Sequence, residues 1–428
     1  VSKQKAKPRV VITGMGVVAA NAHGLDSFAQ ALRAGKSGIR HHAKLAELGF
    51  TCQVGGIPQI SEELKKSYFS ESALLAMNES MIYAGIAGID CWRDAGFKQS
   101  YDSEVDWDTG AIIGTGIGGA DALGEIVVPR VNEGKVRRLG SSMVEQTMAS
   151  SVSASLGGLL GLGGQVTTNS SACTTGTEAM VNAFHMIQEG RALRMLAGGA
   201  EGSSHYIWAG FDAMRVLSRG YNDQPEKASR PMSASAAGFV PSSGAGIVMV
   251  ESLESAQKRG VRIYAEIIGG QVNSGGHRGG GSMTAPNPEG VIRCIRQSLL
   301  QAGITPDQVD LINGHLTATM ADTLEVKNWQ RALECKPENF PLINSTKSLV
   351  GHALGAAGGI ETVASVLQLF QGFVHGSLNC EDLHPALESV SKSVVHVTRE
   401  SNAKILAKSS FGFGDVNGCL LLKKWDGR

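Results

Sequence analysis

Residues 169–180 read NSSACTTGTEAM and continue to position 190 as VNAFHMIQEG. A lone cysteine, Cys173, stands among small polar residues where the spacing predicts the first turn of a helix. At such a place the unpaired N–H groups and the helix dipole favour an anion. The thiol is then expected to fall below its free pKa of about 8.5. The same N–H groups could hold the oxyanion of an attacked thioester. Thr174, Thr175 and Thr177 surround the cysteine, and Gly176 permits close approach of another backbone. A buried structural thiol is the competing account of the same residues.

Strands and helices alternate on either side of this stretch. PRVVITGMGVVAA (8–20) reads as a buried strand, followed by the helical DSFAQALRAGKSGI (26–39) and by the strand and glycine-rich exit TGAIIGTGIGG (109–119). After the Cys173 helix come the strand RMLAGGAE (194–201) and the strand-then-helix GAGIVMVESLESAQKRG (244–260). The rhythm repeats with RIYAEIIGGQVNS (262–274), PEGVIRCIRQSLLQAG (288–303), DLINGH (310–315), PLINST (341–346), a long Ala/Gly helix and NGCLLLKKW (417–425). This alternation implies an α/β class with buried, largely parallel sheets. The repeated rhythm suggests two similar halves, 1–255 and 256–428, fused without a low-complexity linker.

Composition removes several function classes. The chain has 428 residues, with 39 basic and 39 acidic side chains, so its zero net charge argues against a general polyanion binder such as a nucleic-acid protein. No apolar run reaches the length of a membrane span, about 18 residues. The opening VSKQKAKPRVVITGMG lacks the apolar core of a secretion signal. The seven cysteines show no CxxC pair, so neither a disulfide framework nor a zinc site is expected, and a cytoplasmic setting is the default.

Two histidines lie just past strands: His315 in DLINGHLTATMADTLE and His352 in INSTKSLVGHALGAAGG, near Lys347. Neither shows the spacing of a helix-borne metal site, which leaves proton transfer or oxyanion stabilisation, and no metal is expected. In SSFGFGDVNG (409–418), Phe411 and Phe413 alternate with Gly412 and Gly414 in a turn between strands. It is either a hairpin with core aromatics or a mobile loop that lends a backbone N–H. GTGIGG (114–119) matches a dinucleotide fingerprint, but no strand ending in Asp or Glu follows at about 20 residues, so nucleotide binding is not expected.

Taken together, these segments resemble the β-ketoacyl-acyl-carrier-protein synthases, in particular the elongating Cys-His-His branch of the thiolase superfamily. The likeness runs through VVITGMGVVAANAHGLDSFAQALRAGKSGI, SACTTG, SRPMSASAAGFVPSSGAG, NGHLTAT, STKSLVGHALGAAGG and SFGFGDVN. The resemblance implies a thiolase-like fold of two halves in five α-β-α-β-α layers. It implies decarboxylative condensation of an acyl group on Cys173 with malonyl-carrier protein, assisted by His315 and His352. Lys347 would orient the site with Glu361 as partner. Backbone N–H groups of Cys173 and Phe413 would form the oxyanion hole, and Phe411, Gly412, Phe413 and Gly414 the gating loop. Thr284, Thr317 and Thr319 would hold the phosphopantetheine arm, and Ile117 would line the acyl pocket near a dimer interface. No cofactor is implied beyond that arm. The implied partners are an acyl carrier protein and a second copy, or a ketosynthase-like companion in a heterodimer.

Some positions depart from the family. HLTATMAD carries Leu316 where glycine is usual and lacks one residue before Asp322; a leucine resists a left-handed conformation, so that turn is expected to differ. SASAAGFVPSS replaces several charges by serine and alanine, and Asp415 and Val416 stand where glycine and threonine are common. A thiolase would need a second catalytic cysteine; Cys419 lies just beyond the glycine loop, in a strand. Docking of an acidic carrier protein would draw on Lys65, Lys66, Lys135, Arg137, Arg138, Arg219 and Arg230.

Overall fold

The computed structural model describes residues 7–98 and 104–427. The central strands of the first half are β1 (Val10–Ala19), β2 (Thr109–Gly114), β3 (Val166–Thr167), β4 (Arg194–Glu201) and β5 (Gly244–Ser252). Those of the second are β6 (Ala265–Ser274), β7 (Leu311–Asn313), β8 (Leu342–Asn344), β9 (Ile405–Gly412) and β10 (Val416–Lys424). Their spatial order is β3-β2-β4-β5-β1 and then β6-β10-β9-β7-β8. The second set repeats the first in reverse across the β1–β6 seam, where Val10 pairs with Ile267 and Ile12 with Ala265. The internal likeness that residue identity hides is therefore plain in the topology.

The sheets are mixed, which corrects the expectation of largely parallel ones. β2 runs parallel to β3 and β4, and β7 to β8 and β9. The remaining contacts, β1–β5, β1–β6, β4–β5, β9–β10 and β6–β10, are antiparallel. Burial on both faces makes the inner strands, such as β1, β4 and β5, read without alternation, so the pattern carries no record of direction. Direction is set by the connections: the turn 413–415 and the long excursion 202–243 both reverse the chain.

Helices complete five layers. α1 (Glu79–Asp94) and α2 (Ser151–Leu160) cover the outer face of the first sheet, and α4 (Pro288–Ala302) with α5 (Ala321–Leu333) covers that of the second. Between the sheets lie α3 (Thr175–Gln188) and α7 (Ala357–Gln371), with the short α6 (Lys347–Val350) ahead of α7. α3 and α7 cross almost backbone to backbone. A Cβ on Gly176 would lie 2.6 Å from the Gly359 nitrogen, and one on Gly246 in β5 would lie 2.2 Å from the Gly359 carbonyl carbon. Only glycine allows this approach, and it sets the start of α3 beside the start of α7. Gly176→Ala is accordingly expected to cost about 1–3 kcal/mol in denaturant unfolding through overpacking. Stability unchanged by that substitution would show that the crossing can relax.

Candidate active site

Cys173 occupies the turn that leads into α3. Ala172, just before it, takes a left-handed conformation with φ 50°. Thr175 holds that turn: its hydroxyl donates to the Ala172 carbonyl at 2.6 Å and accepts from the Ser171 N–H at 2.8 Å. The other two threonines join the halves. The Thr174 hydroxyl donates to the Val416 carbonyl at 3.0 Å, and that of Thr177 meets the Ser410 hydroxyl at 2.9 Å. The nucleophile turn is thus bolted to β9 and β10, and the turn between those strands lies over it. A Cβ on Gly412 would come 3.1 Å from the Cys173 nitrogen, which brings the turn carrying the Phe413 N–H close to the nucleophile.

The thiol departs from the expectation of a lowered pKa. Burial pushes it up to about 11, against the pull of Lys347 and the Phe413 N–H. A helix terminus stabilises a thiolate, but desolvation of the sulfur outweighs it here.

His352 Nε2 lies 3.1 Å from Cys173 Sγ. Its other nitrogen, Nδ1, accepts the Leu354 N–H at 3.2 Å, which assigns the proton of the neutral ring to Nε2 and makes it a donor toward the sulfur. His315 is arranged likewise. Its Nδ1 faces the Lys347 ammonium at 3.4 Å, so its Nε2–H is free to donate. The two rings meet edge to face with centroids 5.3 Å apart. Burial, and next the Lys347 charge, holds both imidazoles well below their ordinary pKa, so they are neutral N–H donors. Lys347 is itself buried and forms an ion pair with Glu361.

The segment after His315 is shaped by two buried carboxylates. Glu325 accepts the N–H groups of His315 at 2.7 Å and Leu316 at 2.8 Å, and Asp322 accepts those of Thr317 at 2.8 Å and Ala318 at 3.1 Å. Burial raises Glu325 to about 7. The left-handed residue of this loop is Ala318, with φ 65°. Leu316 itself does not take that conformation, and its side chain packs with Val326 and Trp329.

A cavity of about 740 Å³ opens onto Cys173, His315 and His352. Thr284, Thr317, Thr319, Phe411, Gly412 and Phe413 line it, joined by Phe211, Arg215 and Phe239, which sequence reasoning missed. Ile117 lies outside this cavity and is 52% exposed. It belongs to the glycine-rich loop 114–119, whose N–H groups do bind an anion, namely the protein's own Glu201. That carboxylate accepts from the Gly116, Ile117 and Gly355 amides at 2.8, 3.3 and 3.0 Å and from the Thr115 hydroxyl at 3.1 Å. Arg230 is withdrawn from the docking candidates: its buried guanidinium pairs with Glu381 at 2.8 Å and Asp382 at 3.1 Å. The sulfur and two imidazole nitrogens converge within 4.8 Å, a cluster that local spacing could not reveal. The Lys347 ammonium behind His315 opposes an added cation there.

Family comparison agrees with this geometry. Residues 7–256 match the β-ketoacyl synthase N-terminal domain, and residues 264–381 the C-terminal domain. The chain belongs to the β-ketoacyl synthase family. It is 35% identical over 426 residues to 3-oxoacyl-[acyl-carrier-protein] synthase 1 of Haemophilus influenzae, covering 98% of this chain and all of that one. It is 34% identical to synthase 2 of Vibrio harveyi, covering 98% and 99%. Among solved structures, the ishigamide ketosynthase/chain length factor matches with TM-score 0.88 and 26% identity, over 98% of this chain and all of that one. A type II PKS ketosynthase in complex with its acyl-carrier protein (AntDE:AntF) matches with TM-score 0.86, 27% identity and the same coverage. This ketosynthase thus has the thiolase-like fold of its structural neighbours.

One further residue of the ketosynthase site escaped the sequence reading. Lys408 in β9 is fully buried and lies 2.8 Å from the second oxygen of Glu361. Its signal was a lysine inside the buried strand ILAKSS.

Proposed function

We propose that this ketosynthase transfers an acyl group from a carrier protein to Cys173 and condenses it with malonyl-carrier protein, releasing CO₂. The 3.1 Å contact between Cys173 Sγ and the His352 Nε2 donor, beside the second neutral donor of His315, carries the reading. The sulfur attacks the acyl thioester, its proton passes to the departing carrier thiol, and the carbonyl oxygen is held by the Cys173 and Phe413 amides. Malonyl-carrier protein then enters the cavity. As its C–carboxylate bond breaks, the electron pair moves into the thioester enolate, whose oxygen accepts from His315 and His352 Nε2–H. The α-carbon attacks the acyl thioester, the C–S bond breaks, and Cys173 leaves as thiolate and regains a proton. No cofactor is required beyond the phosphopantetheine arm, for which Thr317 and Thr319, their hydroxyls 3.0 Å apart, and Thr284 offer polar contacts.

A partner chain is also part of the proposal. Ile117, Leu123, Val128, Val131, Val136 and Val144 leave an exposed apolar face, suited to a second copy or a ketosynthase-like companion. A thiolase reading is disfavoured, since Cys419 is buried in β10 and Cys173 is the one cysteine among the described cavity-lining residues. Among the described residues no helix is long and apolar enough to cross a membrane, and a cytoplasmic location is proposed.

Intact-protein mass after incubation with a panel of acyl-carrier donors tests this. One acyl group should be gained, ranking chain lengths at once, and should leave as β-ketoacyl product when malonyl-carrier protein is added. Product from the purified chain alone would exclude an obligate companion. An absence of acylation with every donor, in the presence of co-purifying partners as well, would overturn the reading.

A further inference from the structure

Along β9 the alternate side chains Leu406, Lys408 and Ser410 point to the central helix layer, while Ala407 faces the outer core. Lys408 lies in the middle of the sheet, paired in register with Asn313 of β7 and Leu420 of β10. Its side chain has no exposed surface. A chain keeps an ammonium so placed only where partners compensate its lost hydration. The partners are the Ser409 carbonyl, the Ser410 hydroxyl at 2.9 Å and Glu361 Oε2 at 2.8 Å.

Glu361 is therefore shared. One oxygen meets Lys347 and the other Lys408, and Lys347 in turn faces His315 Nδ1 at 3.4 Å. Within this trio, two ammonium groups and one carboxylate leave one positive charge next to His315. The other charged group facing Lys408 is Glu325 of α5, reached through the Ser409 hydroxyl at 3.1 Å from Glu325 Oε1.

We propose that Lys408 is a positioning residue for the condensation, an internal cation that takes up the charge of Glu361 and leaves the Lys347 ammonium directed at His315. The inference rests on the ketosynthase reading of the site given above. Without Lys408, Lys347 and Glu361 close into a neutral pair. His315 then loses the fixed donor that sets its tautomer, and the enolate that forms on loss of CO₂ loses a nearby compensating charge. The geometry is supported by the electrostatics of the rings, since the Lys408 charge acts on both His315 and His352 to disfavour their protonated forms. Removing a positive charge raises the proton affinity of a neighbouring imidazole, so the acid limb of the rate profile should move to higher pH.

The experiment compares Lys408→Gln, Lys408→Met and Lys408→Arg with the unaltered protein. It measures the rate of malonyl-carrier protein decarboxylation from about pH 3.5 to 8, a range that reaches well below the ordinary imidazole value so that the lowered limb of the unaltered protein is included, with thermal unfolding at each pH alongside. Gln retains a hydrogen-bond donor for Ser409 and Ser410, Met retains only volume, and Arg retains the charge. Both neutral variants should fold, lose at least about tenfold in decarboxylation, and show the acid limb moved upward by about half a pH unit or more, with Arg restoring the limb. Impairment of Met alone would assign Lys408 a hydrogen-bonding role and overturn the proposal. An unmoved acid limb in both neutral variants, or failure of both to fold, would overturn it too. If the unaltered protein neither takes up acyl groups nor consumes malonyl-carrier protein, the ketosynthase reading itself fails, a result distinct from any of these.

Discussion

Cys173→Ala is expected to take up no acyl group and to form no condensation product, a loss on the order of a thousandfold or more. The methyl side chain leaves the turn intact, because Thr174, Thr175 and Thr177, not the sulfur, hold it. Unfolding in denaturant should consequently change little. Cys173→Ser is the sharper comparison. Its hydroxyl can accept from His352 as the sulfur does, but an alcohol buried where even the thiol is raised to about 11 stays protonated. Serine should fold as alanine does and acylate hardly faster. The checks are intact mass for the covalent step and chromatography of the carrier-bound product. Acylation persisting in the alanine variant would place the nucleophile elsewhere.

His315→Ala should separate the two half-reactions. Losing one preorganised donor to a developing oxyanion costs about 3–4 kcal/mol, or roughly a hundredfold to a thousandfold in decarboxylation. Acyl transfer should suffer far less, because it is His352, not His315, that contacts the sulfur. His352→Ala should depress both steps. The pH dependence follows from the direction of the shifts. Burial and Lys347 hold both imidazoles well below 6.5, so the protonated, inactive forms appear only below that ordinary value. Decarboxylation by the unaltered protein should therefore keep its rate as pH falls through the usual histidine range and decline only at lower pH. A limb centred near the ordinary imidazole value would mean that these rings are solvated in the working enzyme. Decarboxylation at full rate in His315→Ala would remove that residue from the enolate site.

Much of the site was legible because its signals are local. Cys173 announces itself by a small-residue turn at a helix start. His315 and His352 each follow a strand of a few apolar residues, and Phe411 to Gly414 sit in a turn with its own glycine signature. Such features depend on residues within a few positions of one another, and the structure places Cys173, both histidines, Phe411, Gly412 and Phe413 around one cavity. The pairing of Lys347 with Glu361 came instead from the family resemblance, since the two lie 14 positions apart on different helices.

The chain alone thus determined the α/β class, the duplicated rhythm, the nucleophile turn and the two histidine segments, because backbone propensity and hydrophobic period are written residue by residue. Tertiary structure decided the rest. Buried strands read alike in either direction, so only the connections made the sheets mixed. The protonation of Cys173 depended on how completely distant segments desolvate it. Glu201 filled a glycine-rich loop some 85 residues away, Arg230 turned inward to Glu381 and Asp382, and Lys408 reached Glu361 across the central layer. Each of these depends on which charges and N–H groups lie within a few ångströms in a medium from which water is excluded, where electrostatic terms are strongest, and packing between remote segments alone sets those distances.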